Sequence, residues 1–169
     1  MGWFVKKTSV LCILIVFSFI TLIPKVSYAD YEQREKVDAV LNVANSFFEN
    51  MQNKDFKSVW ANLSSGSKDK IIESVYKNLL KSKIKTYSKS SIKEDFKSDG
   101  PIAQSFWSGY LKAFDPNMVL NESVWEKVKF DGNKAIIVIK YKKAQEPFDL
   151  KMYKENGSWK VGLIETFGI

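Results

Sequence analysis

The chain contains no histidine, and among its 169 residues there is a single cysteine, Cys12. Without histidine there is no imidazole base, no Ser-His-Asp or Cys-His arrangement, and none of the usual histidine-containing zinc or iron sites. Cys12 lies inside an apolar N-terminal run, with no lipobox-like Leu-Ala-Gly in front of it, so beyond that run the chain has neither thiol nor disulfide. Its stability has to come from packing. A Gly-rich phosphate loop and the Asp-x-Asp spacing of calcium loops are also missing, and no metal or cofactor is expected.

What is present begins with Lys6 and Lys7, an uncharged run from Thr8 to Ile23, then Pro24 and Ser27-Tyr28-Ala29. A basic start, an apolar middle and small residues at −3 and −1 are what signal peptidase reads. Residues 1–29 are therefore read as a signal peptide cleaved after Ala29, and residues 30–169 as one domain, periplasmic or secreted. The alternative is a retained membrane anchor, for which a run of this length falls just short of the roughly 17–25 residues needed to span a bilayer. Removing residues 1–29 takes away Lys6, Lys7 and Lys25 and lowers the formal charge from +7 to +4, with 23 basic residues against 19 acidic. That mild excess, spread along the chain, suits an anionic envelope surface and does not suggest nucleic acid, which selects a clustered basic face. The short signal and lysine-rich body read as bacterial.

From Val37 to Met51 apolar residues fall at Val37, Val40, Leu41, Ala44, Phe47, Phe48 and Met51, the stripe of an amphipathic helix. Asp55 offers an N-cap for a short second helix carrying Phe56, Val59 and Trp60, which ends in the turn-rich Asn62–Gly66. A third helix is expected from Ser67, with Ile71, Ile72, Val75, Tyr76, Leu79 and Leu80 at helical spacing. Residues 82–99, rich in lysine and serine, read as a flexible connection with room for one helical turn. Asp99-Gly100-Pro101 then opens another helix, since proline suits the first helical position, and Asp115-Pro116 closes it.

From Val119 the period changes to two. Val124, Val128 and Phe130 alternate with Trp125, Lys127 and Lys129, Asp131-Gly132 reverses the chain, and Ala135–Ile139 is apolar on both faces, as a central strand should be. Phe148, Leu150 and Met152 form a third strand, Asn156-Gly157 is a hairpin turn, and Trp159, Val161 and Leu163 complete a fourth. The expected class is α+β: N-terminal helices packed on a curved four-stranded antiparallel sheet, together cone-shaped.

This order of helices, with a terminal hairpin ending in Asn156-Gly157-Ser158-Trp159-Lys160-Val161, resembles the nuclear-transport-factor-two-like superfamily over residues 35–167. The resemblance implies a cone whose interior is a ligand pocket, an active site or a filled core. Its members include SnoaL-like polyketide cyclases, ketosteroid isomerases and periplasmic phospholipid carriers, so fold alone does not assign function.

Two kinds of candidate site follow. Trp60, Phe106, Trp107, Tyr110, Trp125, Tyr141 and Trp159 are the aromatics able to line an apolar pocket, although such stripes also make plain core. A histidine-free acid–base site needs a desolvated carboxylate, for which Glu165 and Asp149 are the candidates, with Tyr110, Tyr141 or Tyr153 as partner. Against this, Glu165 lies near a strand end, and Asp149 is on the solvent side of Phe148 and Leu150. The lysines from Lys81 to Lys97 offer a docking patch for anionic lipid or wall polymer, or simply a solvated loop. Asn62, Asn121 and Asn156 each start an Asn-x-Ser triplet, which a bacterial protein leaves unglycosylated. The favoured reading is a non-enzymatic exported domain that binds a lipid, another apolar or amphipathic small molecule, or an envelope protein, through its cone or sheet face. An isomerase or cyclase and an envelope interaction module with a filled core are the alternatives, and pairing through the sheet face would give a homodimer.

Overall fold

The first long helix, α1 (Tyr28–Gln52), places Val40, Ala44, Phe47, Phe48 and Met51 on one side, all fully buried, in keeping with their spacing. These elements belong to a computed structural model that describes residues 28–168. The proposed signal peptide lies almost entirely outside the described residues. Glu35–Ile169 forms one compact unit.

Lys54 takes a left-handed conformation and ends α1. Asp55 then caps α2 (Phe56–Asn62), its carboxylate accepting from the Ser58 amide at 3.1 Å. The third helix, α3 (Ser65–Lys81), starts two residues earlier than its apolar spacing indicates, because Ser64 is its cap and accepts from the Ser67 amide.

Residues 82–99, expected as a flexible connection with room for one helical turn, are more helical than their composition indicates. They contain α4 (Lys89–Ser98), opened by a reciprocal Ser88–Ser91 capping box, with Ile92 and Phe96 fully buried one turn apart. Two apolar residues in a field of lysine and serine give little periodic signal, yet they are enough to dock one short helix. Left-handed Asp99 ends α4, and Gly100-Pro101 starts α5 (Pro101–Ala113), as expected. Asp115-Pro116 closes that helix and also begins another, α6 (Pro116–Leu120), where a strand had been expected from Val119.

The sheet is the predicted antiparallel meander β1-β2-β3-β4, formed by β1 (Ser123–Asp131), β2 (Lys134–Tyr141), β3 (Phe148–Glu155) and β4 (Ser158–Gly162). It is not closed into a barrel. Asn156 and Gly157 both have positive φ, the requirement of the two-residue turn that their sequence announces. The parity of β1 changes at a bulge between Trp125 and Lys127. Val124 is consequently 53% exposed, while Trp125 joins Val128 and Phe130 against the core, contrary to simple alternation. Residues 163–167 are not strand: they form α7 (Leu163–Phe167), which carries Glu165.

Candidate functional site

The predicted pocket aromatics divide into a packed group and three separate residues. Trp60, Phe106, Trp107 and Tyr110 come together, but ring on ring. Trp107 is fully buried, with its centroid 5.0 Å from that of Phe106 and 5.9 Å from that of Tyr110. Phe96, from the segment expected to be a connection, sits among them, 4.6 Å from Trp60 and 5.5 Å from Phe106. The Trp107 Nε1–H is buried, and burial pushes the Tyr110 phenol up to about 12.

Trp125, Tyr141 and Trp159 are not part of that group. Trp125 donates from Nε1 to the Val119 carbonyl at 3.1 Å, and Tyr141 donates to the Glu122 carboxylate at 3.3 Å. Trp159 lies 5.9 Å from Phe130 with the rings tilted by 53°, near the β1–β2 turn, and the Lys154 ammonium is over its ring.

Of the two carboxylate candidates, Glu165 does point inward, toward the start of α3. It accepts from Ser64 Oγ at 3.1 Å and from Ser67 Oγ, and fully buried Ser67 in turn accepts from the Ile164 amide at 3.0 Å. A side chain at Gly66 would run into this carboxylate. Glu155 arrives beside it, accepting from both the amide and the hydroxyl of Ser65 at 2.9 Å. Two negative groups thus meet the positive end of α3, where the macrodipole and unpaired amides favour them. Together they tie α7 and the end of β3 to the start of α3. The Tyr153 phenol is pushed up, first by burial and then by the Glu165 charge, but no hydrogen bond joins the two. Asp149 is exposed on the sheet face turned away from the core, as its parity indicates.

Among the described residues, two grooves with apolar lining lie outside the packed centre, and the sequence pointed to one residue of each, Phe106 and Tyr153. The first, of about 470 Å³, runs between α3 and α5. Val75, Leu79, Ile84, Tyr87, Ile102 and Phe106 make it apolar, and Asn78, Ser82 and Ser105 supply polar groups. Ile84 and Tyr87 are 43% and 41% exposed. Their signal was available as large apolar residues in an otherwise polar segment. The second groove, of about 450 Å³, lies on the sheet between Lys129, Asp131, Lys134, Ile136, Lys151 and Tyr153.

The lysine cluster proposed as a docking patch is partly neutralised, since Lys89 pairs with Glu73 and Lys97 with Glu94. Among the described residues no group of three or more acidic side chains is arranged to hold a metal ion, and no helix is long and apolar enough to cross a membrane. Comparison with known proteins returns no match to a family model, a curated protein or a solved structure.

Proposed function

We propose that this chain is an exported binding domain of nuclear-transport-factor-two-like architecture that takes an apolar or amphipathic small molecule in the groove between α3 and α5. The observation that carries the reading is the exposure of Ile84 and Tyr87 beside Leu79, Ile102 and Phe106, apolar surface left in contact with water along a groove of about 470 Å³. Small-molecule sites have this makeup: volumes of about 300–1,000 Å³, mostly apolar walls and a few polar groups for orientation. The tight ring packing around Trp107 favours a ligand between the helices over one inside the cone. Binding is preferred to catalysis because the Glu165 oxygens are engaged by Ser64 and Ser67, and exposed Asp149 lacks the desolvation that an acid–base carboxylate needs.

The test is titration with a fluorescent single-chain fatty acid. Saturable binding that weakens at least tenfold in Ile84→Asp, an exposed position where folding is not at risk, is the expected result. Equal affinity of the variant, or no binding by the parent protein, would overturn the assignment to this groove.

A further inference from the structure

The two faces of the sheet separate cleanly by register. Ala135, Ile137, Ile139, Leu150, Met152 and Val161 belong to the core cluster, so the alternate positions face away from the helices. On that outer face the cross-strand rows are Lys127–Val138–Asp149 and Lys129–Ile136–Lys151, followed by Asp131–Lys134–Tyr153. Lys127, Lys129, Lys134, Lys140 and Lys151 are all exposed, which leaves no second layer over them. Only Lys151 has its ammonium occupied, donating to the Glu165 carbonyl at 2.7 Å, and none of the five is in a salt bridge. Val138 is buried yet stands outside the core cluster, so its cover comes from the side chains of its own face.

We infer that this outer face docks on a bilayer rich in anionic phospholipid, with lipid phosphates seated among Lys129, Lys134 and Lys151. Charge complementarity selects an anion, because the lysines outnumber Asp131 and Asp149 on the face. The layout selects a surface over a strand-like polymer. The cations lie on three strands, with neighbouring strands about 4.8 Å apart, and spread in two directions around partly exposed Ile136 and Tyr153 and exposed Val124. Binders of single-stranded nucleic acid instead follow one track and interleave cations with stacking aromatics, whereas Tyr153 is the one aromatic in these rows. Lysine suits the role because its stem lies along apolar surface while the ammonium reaches the headgroups. This face is distinct from the α3–α5 groove, and the inference stands without it.

Vesicle flotation of the full chain tests the idea, comparing phosphatidylglycerol-containing vesicles with pure phosphatidylcholine, which reports any contribution from the apolar N-terminal run. The expected result is a preference for the anionic vesicles that falls with added salt. Lys129→Glu with Lys134→Glu should cut the partition coefficient at least tenfold at unchanged circular dichroism, while Lys83→Glu with Lys85→Glu, the same charge change elsewhere, stays within twofold. An equal loss in both double variants would reduce the effect to net charge and overturn the inference. So would equal binding to both vesicle types, or binding to soluble polyphosphate without binding to vesicles.

Discussion

The inner and outer faces of this sheet use the same four strands and the same turns, yet they differ in what each alternate side chain meets. Inward residues meet a helical layer and are buried by it, from Ile137 and Ile139 to Leu150 and Met152. Outward residues meet water, and what cover exists comes from neighbours on the same face. The difference teaches that burial in this chain is set by the second layer more than by hydrophobicity, since Ile136 and Ile137 are adjacent, identical and treated differently. Replacing each by alanine measures that difference. Ile137→Ala should cost about 2–5 kcal/mol, the range for removing a buried branched side chain with partial collapse of the cavity. Ile136→Ala should cost under about 1.5 kcal/mol, because less apolar area is removed from a half-open site. Urea denaturation of both variants checks this, and equal losses would mean that the outer face is covered after all.

The strand alternation made this division readable in advance for β2 and β3, where no irregularity interrupts the pleat. It failed in β1, because one extra residue at the bulge turns Trp125 inward and Val124 outward, and a bulge leaves no mark in a hydrophobic pattern. The helices behaved similarly. Elements with a start signal and a periodic apolar face, such as α2 and α5, were legible, whereas α4 was not, because only Ile92 and Phe96 bury apolar side chains from it. That omission mattered for the site: without Phe96 in place, Trp60, Phe106, Trp107 and Tyr110 look able to surround a pocket, and with it Trp60 and Trp107 belong to the core, Tyr110 packs against them and Phe106 is left in the wall of the α3–α5 groove. Glu165, expected near a strand end, sits instead on α7 and turns toward the start of α3. The serines that hold it come from about 100 residues earlier in the chain, a pairing that local sequence cannot express.

Tyr110 sharpens the comparison through pH, because it tests how dry the helical side is. Burial raises its phenol to about 12, so the folded state holds the proton more tightly than the unfolded chain, whose tyrosine titrates near 10. Stability from this group is therefore complete below about pH 10 and declines as pH rises toward about 12, by about 2–3 kcal/mol. The slope has this sign because the unfolded state releases its proton first. Tyr110→Phe should remove this component of the decline, read as the difference between the two proteins in denaturation at pH 9 and at about pH 11.5, and it should also remove a late tyrosinate absorbance step. A Tyr110 that titrates near 10 would place water in the aromatic cluster and reopen the interior as a ligand site.

The smallest expected effect isolates the bulge. Val124 has an apolar side chain on a strand, next to Trp125, and in a regular pleat it would be the buried one. At 53% exposure it has little to lose, so Val124→Thr, which keeps the branched shape and strand preference, should change stability by no more than about 0.5 kcal/mol. A buried valine would pay for the new hydroxyl, because an unpaired polar group away from water costs about 1–3 kcal/mol. The variant thus reports which parity β1 adopts: a loss near the larger figure would put Val124 inward and Trp125 outward, moving a tryptophan onto the lysine-bearing face. A loss near zero keeps Trp125 with the core and leaves Val124 among the apolar residues available to whatever the outer face meets.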